Sequence, residues 1–358
     1  MKEKIDFSKI NFNEFENTYN QIIKFTDKEI ESTISDLIAY ENQKKGVDLE
    51  TLIIKFLNHK STKVRLKVTK YLENSSDIST LRKIKEVIGF ESDESVKKEA
   101  IIIFGNWVSK YVIKKNKNKE LNTLIDFGLS FIESSQLEEE ENLMIQSLSF
   151  SNDEKIENLI MEKYSSTKEE DINCSILSMG NSGDTKWIPL IEEVLENDNY
   201  KIRSNSCISL SLIGDEEHID QIKELLEDEE LETQKSALIG ISNIGGEYAK
   251  SILEKLKFST EPEIVELSKV KLEEIRLEEE LESSITPEKM SEGFMDQSNK
   301  KPTKEFDEYN AAEIEGWGSL NSDGTSFLAP DAIDDDIDDP IKSLADYEKP
   351  IDQPNIDD

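Results

Sequence analysis

Histidine is nearly missing from this chain: His59 and His218 are the two among 358 residues. That shortage closes off several chemistries at once. No His-Glu pair occurs, and a di-iron carboxylate centre needs several. No group of cysteine and histidine has zinc spacing. Neither a Gly-x-Ser-x-Gly elbow nor a Walker phosphate loop is present. A serine or cysteine nucleophile would need a histidine base, and His218 is the one candidate near Cys207. The expectation is a non-enzymatic chain with no catalytic residue, no cofactor, no metal site and no small-molecule substrate.

Cysteine is equally scarce. Cys174 and Cys207, together with the lack of a secretory signal, fit a reducing cytosol, so a cytoplasmic location is expected. Long hydrophobic runs are also lacking. The longest, Ala100 to Phe104, falls far short of the roughly 20 residues a bilayer span needs, and no membrane attachment is expected. Positive charge is in deficit: 43 Lys and Arg stand against 78 Asp and Glu, a net charge of −35. Phosphate backbones are held by basic surfaces, so nucleic acid is disfavoured as a partner. The dense lysines 110, 114, 115, 117 and 119 read as a solvated loop between helices, because the interleaved aromatics of a base-stacking surface are few.

What the chain does have is a period. Gly183-Asp184, Gly214-Asp215 and Gly245-Gly246 are 31 residues apart, and Asn152-Asp153 keeps the step one unit earlier. A fixed period in the range of about 20–50 residues means a stack of small units, each contacting its neighbours. Ile160, Ile191, Ile222 and Leu253 fill one apolar column; Val194, Leu225 and Leu256 fill another three residues on. A second segment begins at Ile202, Thr233 and Ile264. It continues through Ser175, Ser206, Ala237 and Ser268, then Met179, Leu210, Ile241 and Leu272, then Ile213, Ile244 and Ile275. Spacings of three and four put these residues on one helical stripe, twice per unit. The always-small column marks a close crossing of helices. Gly or Asn followed by Asp suits a left-handed helix stop and then an N-cap. Each unit is therefore a helical hairpin, and the fold class is all-α.

The segment Lys201-Ile202-Arg203-Ser204-Asn205-Ser206-Cys207-Ile208-Ser209-Leu210-Ser211-Leu212-Ile213-Gly214-Asp215 resembles HEAT-like repeats of the phycobilisome-lyase type. Trp187-Ile188-Pro189-Leu190 matches the Ile-Pro-x-Leu half of that pattern, and Val64-Arg65 and Val96-Lys97 resemble two more Val-Arg starts. The resemblance is strongest over residues 150–275 and weaker over 47–149. It implies a right-handed α-solenoid and says nothing of activity. Tetratricopeptide and ankyrin arrays, with periods near 34 and 33, fit less well. The resemblance also assigns Arg65 and Arg203 to bonds within or between units. Trp107 and Trp187 are expected to pack inside. Cys174 and Cys207, in equivalent segments of adjacent repeats, are expected to be buried thiols. His218 shares a column with Ile156, Trp187 and Ala249 and is expected to be partly exposed.

Three regions follow. Residues 1–46 form a helical cap, 47–282 a solenoid of about seven repeats, and 283–358 an acidic tail. Six of the eight prolines fall in the tail, whose 20 acidic residues against 6 lysines give it a net charge of −14. Such composition predicts disorder. One compact patch stands out there: Trp317, Leu320, Asn321, Asp323, Gly324, Phe327 and Leu328, a short aromatic motif with partner-binding character. A calcium reading of Asn321 to Thr325 fails. Aligning Gly324 with the loop glycine puts Ser319 at the first ligand position and Pro330 at the bidentate position.

The functional expectation is a protein–protein interaction scaffold or adaptor. A basic partner would lie on the concave face, and the tail motif would hold a second partner or dock on the chain itself. The alternatives are an accessory subunit or lyase-like enzyme of the bilin-lyase family, which rests on the resemblance alone, and a nucleic-acid-binding HEAT-like protein.

Overall fold

A computed structural model of the protein describes residues 5, 10, 14–43, 48–75, 78–113 and 119–284. Every regular element among them is a helix. In chain order these are α1 (Phe15–Ile22), α2 (Asp27–Gln43), α3 (Glu50–Ile53), α4 (Thr62–Tyr71), α5 (Ile78–Phe90), α6 (Glu94–Ile113), α7 (Lys119–Ser134) and α8 (Glu138–Leu148). Then come α9 (Glu154–Tyr164), α10 (Glu169–Asn181), α11 (Ile188–Glu193), α12 (Tyr200–Ile213), α13 (Ile219–Glu224), α14 (Leu231–Ile244), α15 (Gly246–Leu256) and α16 (Pro262–Ser284). Short 3-10 turns extend several of them; Ile54–Asn58 continues α3, Thr185–Trp187 leads into α11, and Glu216–His218 leads into α13.

From α3 onward each odd-numbered helix folds back on the even-numbered helix after it, giving seven hairpins. The even-numbered helices then pack on one another without a break, from α2 on α4 through to α14 on α16. The odd-numbered helices meet each other far less, beyond a contact of α1 with α3. The architecture is thus an α-solenoid of two unequal rows. One row is in direct helix-on-helix contact, and the other is more widely spaced.

Small residues explain the tight row. Ser175, Ser206, Ala237 and Ser268 are all buried, and the three serines turn their hydroxyls back onto carbonyls of their own helices, at Ile172, Ile202 and Val265. What they present to the neighbouring helix is close to an alanine surface. Glycine allows closer approach still. A Cβ on Gly180 of α10 would lie 2.8 Å from the Cα of Ser209 on α12. A Cβ on Gly240 of α14 would lie 3.0 Å from the Cys207 carbonyl oxygen. The large apolar columns fill the space between rows: Ile160, Ile191, Ile222, Leu253, Met179, Leu210 and Ile241 are buried. Leu272 and Ile275 are only half-buried, because no described hairpin follows α16 to cover them.

The turns between hairpins follow the expected chemistry at two sites and depart from it at a third. Asn152 (φ 50°) and Gly183 (φ 67°) are left-handed, as a helix stop requires. Asp153, Asp184 and Asp215 each accept the N–H two residues on, from Lys155, Lys186 and Glu217. Gly214, however, is extended, with φ −86° and ψ 179°. It is glycine for want of room: a Cβ there would lie 2.7 Å from the Leu210 carbonyl and 3.1 Å from the His218 ring. A second departure concerns the basic stretch. Lys110 lies on α6, which runs on to Ile113 because Trp107, Val108 and Tyr111 continue its buried stripe. Its ammonium sits 5.7 Å from the Trp107 ring centre. Lys114, Lys115 and Lys117 lie outside the described residues.

Two glycine substitutions separate the packing constraint from helix propensity. Gly240→Ala should cost about 1–3 kcal/mol, since its new methyl meets backbone that cannot swing aside. Gly89→Ala on α5, where nothing lies within 4 Å of the added atom, should instead stabilise by about 0.5–1 kcal/mol. Urea unfolding of the two variants checks the opposite signs; equal effects would mean that the close approach carries no energy.

Candidate functional site

The tail motif from Trp317 to Leu328 lies outside the described residues, so the candidate surface must be built from the solenoid. It has a floor and a border. The floor is the exposed side of the even-numbered row. Past their first turns, α8, α10, α12 and α14 contain no carboxylate at all. What remains partly exposed there is mainly amide and aliphatic, Asn173 and Asn181 on α10, Asn205 and Leu212 on α12, Ile239 and Asn243 on α14, together with Lys235 on α14, whose ammonium is paired with Glu263 of α16. The amides link neighbouring helices. Asn205 Nδ2 donates to Asn173 Oδ1 at 3.0 Å, and Asn243 Nδ2 donates to Ser211 Oγ at 3.2 Å.

The border is the edge formed by the loops within each hairpin and the first turns of the even-numbered helices. Glu138, Glu139, Glu169, Glu170, Glu196 and Asp198 are exposed there, and Glu227, Glu229, Glu230 and Glu261 continue the line. The excess negative charge therefore flanks this face, and past the first turns of α8 to α14 the face carries no carboxylate. The reason is that carboxylates are tolerated at exposed helix N-termini, where they face the positive end of the dipole. On the close-packed flank of the row they would be desolvated.

Two arginines hold this edge together with the same wiring. Arg203 donates through Nε (2.7 Å) and Nη2 (2.8 Å) to both oxygens of Asp228 in the next hairpin, and through Nη1 to the Asn197 and Asp198 carbonyls of its own loop. Arg65 does the same with Glu91 (2.7 and 2.9 Å) and the His59 and Lys60 carbonyls. Both arginines are structural, as their place in the repeat implied. Gln234, one period after Arg203, keeps half of the pattern by donating to the Asp228 carbonyl at 2.6 Å. The hydrogen bond from Arg203 holds the Asp228 carboxyl below its ordinary 3.8, despite burial that works the other way.

A further column escaped the sequence reading. Ser135, Ser166, Asn197, Asp228 and Ser259 are spaced by the 31-residue period, and each accepts the N–H two residues on. This turn starts every even-numbered helix from α8 to α16. Its signal was present in the sequence as a column holding only Ser, Asn or Asp.

The remaining candidates fall to structure. Cys174 and Cys207 are free and buried, and burial pushes the Cys174 thiol up to about 12 and raises that of Cys207 as well. A thiol so hard to ionise is inert. His218 is half-buried and closes the turn into α13: the Asp215 N–H donates to its Nδ1 at 3.1 Å. Trp107 and Trp187 are buried. Among the described residues no group of three or more metal-binding side chains gathers, and no helix is long and apolar enough to cross a membrane.

The family model described as HEAT repeats matches residues 165–242 and again residues 188–266, the stretch where the two-row geometry is most regular. Residues 165–266 of this chain thus carry HEAT-like repeats. No curated protein matches the chain. Solved structures similar to this chain include the complex of CpcE and CpcF of phycocyanin lyase from Nostoc, at 14% identity and a TM-score of 0.42, covering 65% of this chain and 97% of that one. Human deoxyhypusine hydroxylase in complex with glycerol is similar at 12% identity and a TM-score of 0.32, covering 74% and 96%. A designed armadillo repeat protein is similar at 17% identity and a TM-score of 0.28, covering 64% and 100%.

The arginine clasp predicts a pH dependence of stability. The folded Asp228 carboxyl titrates below its unfolded value, so its contribution is fully present above the ordinary 3.8 and is lost as pH falls through the folded value. Asp228→Asn should cost roughly 3 kcal/mol at neutral pH, because Arg203 is left buried without its partner. The variant should also lose that acid-side segment of the stability curve; an unchanged curve in denaturant titrations from pH 6 to pH 2 would refute the assignment. The thiols give an independent check. A thiol reagent should leave Cys174 and Cys207 unmodified in the native protein and label both on unfolding. Rapid native labelling would contradict their burial.

Proposed function

We propose that this protein is a non-enzymatic interaction scaffold that holds an extended segment of a protein partner along the even-numbered helices. The carrying observation is the contrast between floor and border. A neutral floor of asparagine, serine and aliphatic side chains offers hydrogen bonds and apolar contact to a polypeptide backbone. An acidic border along one side favours a partner with lysine or arginine on the matching side, and steers its approach. The closer spacing of the even-numbered helices would put them on the inside of the stack's curve, so that the floor is concave. Helix-on-helix packing fixes the floor in advance, so little ordering entropy is lost by the scaffold on binding.

Leu212→Glu on the floor and the combined Glu169→Gln, Glu170→Gln, Glu229→Gln and Glu230→Gln on the border test this reading in different ways. With the partner recovered by cross-linking and affinity purification, the floor variant should weaken capture at every salt concentration, about tenfold or more for a central contact. The border variant should weaken capture mainly at low salt, where exposed charges act over about 10 Å or more. A partner retained by both variants would place binding elsewhere.

A further inference from the structure

The wide spacing of the odd-numbered row leaves a groove of about 930 Å³ between α3 with its 3-10 turn and α5, near the start of the solenoid. Its apolar lining comes from Tyr19, Ile54, Leu57, Val87 and Phe90. Phe90 is 88% exposed, so a whole aromatic face is left to water at the groove's edge. Lysine is concentrated here, each copy paired with one carboxylate. Lys55, Lys60 and Lys83 line the groove, while its Arg65 and Glu91 neutralise each other in the clasp described above, leaving Glu86 as the other acid. The lysines are held by exposed pairs, Lys55 with Glu16 (2.8 Å), Lys60 with Asp27 (3.3 Å) and Lys83 with Glu86 (2.8 Å). Such pairs are worth at most about 1 kcal/mol and exchange readily for an incoming carboxylate.

We propose that residues 313–328 of this same chain dock in the groove. Trp317 would cover Phe90 and Val87, and Glu313 and Glu315 would face Lys60 and Lys83. Three observations select this occupant. The segment combines large apolar side chains (Trp317, Leu320, Phe327 and Leu328) with the acids Glu313, Glu315 and Asp323, which complements an apolar groove lined by three lysines whose present partners are exposed and exchangeable. The segment belongs to the 74 residues that follow α16. The connection also reaches. The 33 residues from Ser284 to Trp317 span up to roughly 110 Å when extended. Five hairpin steps at about 10 Å each bring α16 to within roughly 50 Å of α5. This contact lies on the outer row and leaves the floor of the even-numbered row open, so it is independent of the partner-binding reading.

Carbodiimide coupling of the full-length protein, followed by peptide mass spectrometry, tests it. Amide links should join Glu313, Glu315 or Asp323 to Lys55, Lys60 or Lys83. A mixture of isotopically heavy and light protein should show those links within single chains. Phe90→Ala, at a side chain too exposed to affect folding, and Trp317→Ala, outside the solenoid, should each lower the yield about tenfold, the loss expected for an aromatic anchor. The proposal is overturned if such links are missing, or if they join different chains. It also fails if these acids couple as well to Lys250, Lys257 and Lys269 beside α15 and α16, or if Trp317→Ala leaves the yield unchanged.

Discussion

The fold depends on one steric requirement: the even-numbered helices must come within backbone distance of each other. Gly180 against Ser209 and Gly240 against the Cys207 carbonyl leave no space for another methyl group. The serine columns meet the same demand by returning their hydroxyls to their own helices. Helix-on-helix contact of this kind gains dispersion along the full length of each element. It also explains why α8, α10 and α12 are buried on nearly all sides, although each hairpin is only two helices thick.

The odd-numbered row cannot match that spacing, and it is joined by different means. Long polar side chains bridge one hairpin to the next: Gln221 Nε2 donates to Glu192 at 2.7 Å, Tyr164 OH to Glu193 at 3.2 Å, and Lys186 pairs with Glu157 at 2.5 Å. These contacts are exposed and weak singly, so the outer row is held to the inner one chiefly through the apolar columns between them. From α8 to α14 the inner row is therefore close-packed and nearly neutral past its first turns, and the outer row is open and heavily charged. The two rows offer different surfaces to different chemistries.

Much of this was legible in the sequence because a repeat writes the same constraint several times. The apolar columns, the small column and the Asp caps recur at 31-residue intervals and needed no structure to find. What stayed hidden was of two kinds. Gly214 looks like Gly183 in sequence, yet it is extended and serves the His218 ring; a shared residue type does not reveal whether conformation or clearance is at stake. The Arg203–Asp228 clasp joins residues 25 apart, off the repeat period, so no column pairs them. The neutrality of the floor was hidden for another reason. A helix buried almost all round has no strong amphipathic stripe, and the few positions of α12 that reach solvent, such as Asn205 and Leu212, look like any others.

That neutrality changes what a net charge of −35 implies. Spread evenly, it would make every surface repel an acidic ligand and attract a basic one. Here desolvation has sorted it. From α8 to α14, carboxylates are kept off the close-packed row past its first turns and collect at helix N-termini, on loops and on the outer helices, where water and the helix dipole support them. Charge can then set which way a bound segment runs and how fast it arrives, while amides and aliphatic side chains on the floor set how well it fits. The same sorting allows a lysine-lined groove such as that beside Phe90 to persist at the start of an acidic solenoid. Charge on a stack of this kind is decided hairpin by hairpin, by which helix face each residue occupies.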